Sequence, residues 1–222
     1  MDRHVRLMRG AWKSALPALL ALIAVLPCRG DEEARQALAA LRSRIAALGA
    51  GYRIEFVVGE GDDRIEGSCL VRGDDFEVKL PGGRLLGNGR LRYEVNETDR
   101  EVTIDRTEAS ERGNILSDPT RAFDLLDTGY DARSAGRREY GGRMCRVVEL
   151  TPGEGAKGSS DEGMTLYIDE RSGLPAGVVY RFGGQQVAVT LVSFRAEQLD
   201  ADYFRFDAGD YSGYEIIDFS RR

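Results

Sequence analysis

A single histidine, His4, and a single tryptophan, Trp12, serve the whole 222-residue chain, and both fall in its first thirty residues. Beyond position 4 there is no imidazole, so Ser-His-Asp and Cys-His catalysis are excluded there. Histidine zinc sites go with them. The two cysteines after Cys28 are Cys69 and Cys145, too few to complete a four-ligand structural site. There is no G-x-x-x-x-G-K-[ST], no G-x-S-x-G and no strand–G-x-G-x-x-G–helix unit. Nor is there a surplus of Lys and Arg. Their 31 residues face 37 acids, a net charge of −6, which argues against a nucleic-acid surface. Acids are plentiful, so a carboxylate-pair hydrolase is not excluded. Most of them, however, sit at turns or alternate outward on strands, as Asp62-Asp63 and Asp74-Asp75 do in loops.

The first thirty residues read as an export signal. Arg3, Arg6, Arg9 and Lys13 precede the apolar run Ala15–Leu26, which is shorter than the roughly 20 residues of a membrane span. Gly30 stands just before Asp31-Glu32-Glu33, so cleavage is expected after Gly30. Cys28 offers a competing end as the lipidated first residue of a lipoprotein, although Pro27 fits that site poorly. Residues 1–30 hold five of the basic groups and one acid, which leaves residues 31–222 with 26 basic and 36 acidic groups, a net of −10. That remainder reads as one domain. In an oxidising compartment Cys69 and Cys145 either pair or stand as two buried thiols, and sequence leaves both open.

What is present is one helix followed by strands. Leu38, Leu41, Ile45 and Leu48 recur at helical spacing over residues 31–48, with acids in the first turn and Gly49-Ala50-Gly51 at the end. From Tyr52 the period drops to two: Tyr52, Ile54, Phe56 and Val58 alternate with charged residues. Strand-like runs follow at Arg64–Arg72, Phe76–Leu80 and either side of Asn88-Gly89, the strongest hairpin signal in the chain. Asp118-Pro119 opens a short helical stretch holding Phe123, Leu125 and Leu126. Strands resume at about Arg143 and continue to Tyr214–Phe219, interrupted by a Gly-rich loop over 152–163. The count is ten or eleven strands joined by short turns, an antiparallel meander of the mainly β, α+β class.

Several phrases resemble the bacterial periplasmic lipoprotein carriers of the LolA type. They are the helix at 31–48, YRIEFVV, the glycine-bearing RIEGSCLVRGDDFEV, LLGNGRLRYEVNETDREVTI, LYIDERSGLPAGVVY and LDADYFRFDAGDYSGYEIID, in the family's order over residues 31–220. The resemblance implies an incomplete β-barrel with helices as a lid on its concave side. Its apolar cavity would hold lipoprotein acyl chains, taken from an inner-membrane transporter and passed to an outer-membrane acceptor. Arg72 stands where the family has an arginine tied to lid closure, with Gly73 in place of the usual proline and Phe76 as the aromatic that follows. The alternative for Arg72 is a strand-end surface arginine.

Tyr52, Ile54, Phe56, Phe76, Leu91, Tyr93, Phe123, Leu125 and Leu126 are therefore the expected cavity set. No catalytic residue, metal or cofactor is expected, and a monomer is. The leading reading is a periplasmic carrier of lipoproteins or another lipid-like ligand. The alternatives are an acceptor of the same fold anchored through Cys28, like LolB, and a half-barrel interaction domain that binds a protein partner.

Overall fold

The computed structural model describes residues 29–59, 64–107, 119–121, 123, 130–153 and 163–221. The expected signal segment up to Cys28 lies outside these residues. Helix α1 spans Arg29–Ala46, and Gly49 at φ +97° turns the chain out of it. Twelve strands follow: β1 Gly51–Val58, β2 Ile65–Arg72, β3 Asp75–Leu80, β4 Gly83–Asn88, β5 Leu91–Asn96, β6 Glu101–Arg106, β7 Tyr130–Tyr140, β8 Arg143–Pro152, β9 Gly163–Asp169, β10 Pro175–Phe182, β11 Gln185–Ala196 and β12 Glu215–Asp218. They form one open sheet in the order β12-β6-β5-β4-β3-β2-β1-β11-β10-β9-β8-β7. Two meanders, β1–β6 and β7–β11, are joined side by side where β1 pairs antiparallel with β11.

Three details correct the expectation from sequence. The strand count among the described residues is twelve. The purely antiparallel meander is broken where β12 pairs parallel with β6. The extra strand is β7, a sheet edge whose sequence YDARSAGRREY has few apolar residues to show its alternation, although Tyr130 and Ala132 pack against the core. Charged side chains at an edge deter pairing with other chains.

One sheet face carries the main core. Cross-strand partners share a face, so the face of Ile54 runs through Cys69, Val78, Leu85, Glu94 and Thr103. Helix α1 packs over β7 and β8 on this face, burying Ala34, Ala37, Leu38 and Leu41 along one stripe. A single apolar cluster joins that stripe to β1–β3 and β8–β11. We call this the inner face.

The outer face of β3–β6 is covered by the C-terminal chain, through 3-10 turns at Ala201–Phe204 and Ala208–Tyr211. Phe206 stacks on Tyr93 at 4.4 Å and on Tyr211 at 5.1 Å. The turn is clasped by Glu77, only 3% exposed. Its carboxylate accepts from Tyr203 Oη at 2.7 Å and lies 3.1 Å from Lys79 Nζ and 3.6 Å from Arg84 Nη1. A carboxylate this buried is tolerable only with such partners.

Burial opposes the charge on Lys79, but the bond and attraction to Glu77 outweigh it and raise its ammonium above the ordinary 10.5. Burial, then the bond to Glu77, raises the Tyr203 hydroxyl above its ordinary 10.0. Both groups have folded values above their unfolded ones. Their contribution is therefore complete below pH 10.0 and lost as pH rises through the folded values. Urea melts should show stability independent of these groups from neutral pH up to that point and falling beyond it. Tyr203→Phe leaves the carboxylate one donor short, should cost about 1–3 kcal/mol at neutral pH, and should flatten the alkaline fall.

Candidate functional site

The inner face brings together five of the expected cavity residues. Tyr52, Ile54 and Phe56 on β1, Phe76 on β3 and Phe123 all belong to one cluster and are at most 9% exposed. Two glycines make this possible. Phe56 lies opposite Gly67 and Phe76 opposite Gly87. A Cβ on Gly67 would come 2.6 Å from the Phe56 ring, and one on Gly87 would come 2.1 Å from the Phe76 ring. Each phenyl group is laid across a strand position that has no side chain.

Above β1 sits an aromatic step. Phe194 of β11 lies opposite Ile54, with its ring 5.0 Å from Tyr52 and 5.8 Å from Phe123. Tyr52 Oη donates to the carbonyl of Pro119 at 3.4 Å, which ties the short turn Pro119–Arg121 down over β2 and β3. Between that turn and α1 a cavity of about 210 Å³ opens onto Tyr52, lined also by Arg42, Ile45 and Ala46 of α1, Thr120 and Phe123. Further along the sheet, where α1 no longer covers it, a groove of about 440 Å³ runs over Val78, Leu80 and Leu85 towards Arg92, Glu94 and Asn96. The apolar wall thus grades into a polar one at β5.

Other expected residues lie elsewhere. Leu91 and Tyr93 are on the outer face: Tyr93 pairs with Leu86 and Ile104, one step out of phase with Leu85 and Glu94. Tyr93 packs under Phe206 and has no part in the inner cavity. The alternation of a strand identifies a face but not which of two faces is concave, and this is where the expectation failed. Arg72 also alternates outward, opposite Gly51 and Asp75, away from the face that Phe123 covers. A lid-controlling role for Arg72 has no support in that placement. Cys69 and Cys145 are both unbridged, buried thiols, in β2 and β8, with β1, β11, β10 and β9 between them in the sheet. No disulfide joins them in this structure. Leu125 and Leu126 lie outside the described residues. Phe194 and Ile45 were missed as site residues, although both carry the right periodicity in their elements.

Asp169 and Glu170 both line a cleft beside α1, but each is already engaged. Asp169 accepts from Ser172 Oγ at 2.9 Å, and Glu170 lies 2.8 Å from Arg137 Nε. No group of three His, Cys, Asp or Glu side chains among the described residues could hold a metal. No helix among them is long and apolar enough to cross a membrane.

No sequence-family model and no curated protein matches the chain. The structure is similar to that of an uncharacterized conserved protein from Thermus thermophilus, at 12% identity over 84% of this chain and 99% of that one, with a TM-score of 0.57. Neighbours also include a LolA superfamily protein from Nitrosomonas europaea, at 12% identity over 78% of this chain and 98% of that one, TM-score 0.41. The likeness to the Thermus thermophilus protein bears on the fold alone. The MucA/MucB complex of Pseudomonas aeruginosa aligns more partially, at 16% identity and TM-score 0.45, this chain covering 78% of itself and 62% of that chain. At such identities a likeness concerns the fold alone, and the ligands of these neighbours remain their own.

The close approach at Gly87 makes a direct test of the inner face. Gly87→Ala should destabilise by about 1–3 kcal/mol in denaturant melts, because the Phe76 ring must leave its rotamer to admit the methyl group. Gly83→Ala would not report on the ring, since its added Cβ meets backbone of Val95 instead.

Proposed function

We propose that the chain is an exported carrier that holds the acyl part of a lipidated protein, or a similar lipid-like ligand, against the inner face. The observation that supports this reading is the cavity between α1 and the Pro119–Phe123 segment, floored by Tyr52 and continuous in chemistry with the apolar cluster beneath it. Its volume, about 210 Å³, is below the roughly 300–1,000 Å³ of ordinary ligand sites. The described state is then the closed one, with the protein's own helix and Phe123 standing where a ligand would lie. Loading moves the Pro119–Phe123 segment off Tyr52 and Phe194. The long hydrogen bond from Tyr52 to Pro119, which holds that turn to β1, breaks as it moves.

Energetically such a carrier needs no catalytic group. Each methylene transferred from water to the apolar face contributes about 0.8 kcal/mol, so a long acyl chain offsets the cost of exposing one phenyl ring and one turn. Residues 1–30 would deliver the chain to the periplasm and be removed there. Transfer onward to an outer-membrane acceptor belongs to the same proposal.

Purified protein should bind the fluorescent fatty acid cis-parinaric acid, and palmitate should displace it. Ile45→Glu, which sets a carboxylate at the half-buried mouth, should weaken binding at least tenfold with little change in the melting midpoint. Absence of binding, or binding indifferent to Ile45→Glu, would overturn the reading. Intact mass separates carrier from anchored acceptor: the carrier begins at Asp31 with no acyl mass, the acceptor at Cys28 with it.

A further inference from the structure

A second concavity lies on the outer face, on the other side of the sheet from α1. The end of β7 curls back across β8 to β10, so that Tyr140 reaches β11: its hydroxyl lies 3.1 Å from Thr190 Oγ1. The ring crosses Gly177, where a Cβ would come within 2.2 Å of it, and stacks on Tyr167 at 4.0 Å with the planes 17° apart. Arg143, at the same hairpin tip, donates to the carbonyls of Ala176 and Leu191 and fastens the tip down. The wall is thus built from three strands and does not depend on a loop. Under it is a cavity of about 600 Å³, within the range of ordinary small-molecule sites.

Its polar lining is unbalanced. Arg138 from β7 and Arg181 from β10 both line it, and neither forms an ion pair among the described residues. Arg181 is positioned by a bond from Nη1 to Thr165 Oγ1 at 2.8 Å, and Thr165 is itself 7% exposed. The acid in the described lining, Glu149, is already taken: Arg133 Nη2 lies 2.7 Å from it, and that bond holds its carboxyl below the usual carboxylate range. Glu149 also feels Arg181 and Arg138, so among the described residues three guanidinium groups face one carboxylate, an excess of two positive charges at the cavity.

We propose that this cavity binds a phosphate monoester, with Arg138 and Arg181 on its oxygens and its organic part against Tyr167. A carboxylate presents two oxygens in one plane and is satisfied by a single arginine fork. A phosphate presents three, carries close to two negative charges at neutral pH, and can accept from two guanidinium groups that approach from different strands. The site is independent of the carrier reading, because it shares no lining residue with the cavity over Tyr52.

The test uses phenyl phosphate at constant ionic strength, with the Arg Nε and Tyr ring resonances followed by NMR. It should bind, phenol should not, and Arg138→Gln and Arg181→Gln should each weaken it about tenfold or more. Arg138 is exposed, so its variant folds whatever becomes of Arg181. The source of the phosphate is read from co-sedimentation with phosphatidylcholine vesicles with and without phosphatidic acid. Capture by the acidic vesicles alone, lost in Arg138→Gln, assigns the phosphate to a lipid headgroup, while binding of phenyl phosphate without vesicle capture assigns it to a soluble ligand. No binding of either, or binding unchanged in both variants, overturns the proposal.

Discussion

A twelve-stranded sheet that does not close on itself has two broad faces to keep from water, and among the described residues one long helix to do it with. The rest of the structure follows from how that shortage is met. Helix α1 takes the inner face of the second meander, where its Ala34–Leu41 stripe joins one apolar cluster with Val148, Leu150 and Leu166. The Pro119–Phe123 segment takes the inner face of the first. The chain after Ala196 crosses to the outer face of β3–β6 and places Phe206, Tyr211 and Tyr214 there. The outer face of β8–β10 is covered, among the described residues, by its own hairpin tip through Tyr140 and Arg143.

These covers differ in how firmly they are held. The C-terminal chain is anchored by the buried Glu77 clasp and by pairing of β12 with β6. Helix α1 shares one core with seven strands and donates from Arg44 Nε to the carbonyl of Ser172 at 3.0 Å. Pro119–Arg121 and Phe123 meet the sheet through contacts that include the Phe123–Phe194 ring pair and the long hydrogen bond from Tyr52 to Pro119. On the proposed reading this is the cover that gives way, since ring contacts can be replaced by acyl ones of equal apolar character.

Much of this was legible in sequence. The 3.6 period over 31–48 and the alternation from Tyr52 onward report burial directly, so α1 and β1–β6 stand within a residue or two of where the pattern puts them. β7 was illegible because only Tyr130 and Ala132 of its inward positions are large or apolar enough to show the alternation, and the rest of the strand is polar, with Arg133, Arg137 and Arg138 among it. The assignment of faces was illegible for a different reason. Tyr93 and Tyr52 look alike in a strand pattern, yet the sheet register puts Phe206 over one and Phe123 near the other. Likewise the outer pair Arg138 and Arg181 is forty-three residues apart in the chain, and only the curl of β7 brings both to one cavity.

The central claim is that the inner face is closed by a cover that moves when an apolar ligand enters. It is tested most directly by a spin-label pair at Ala39→Cys, exposed on α1, and Thr120→Cys on the cover, in the chain from Asp31, which lacks Cys28 and whose thiols Cys69 and Cys145 are buried and unlabelled. Pulsed dipolar distances are measured before and after palmitate is added. The account predicts a single short distance that shifts to a longer one in proportion to bound palmitate. Saturating palmitate with the distance unchanged would contradict it.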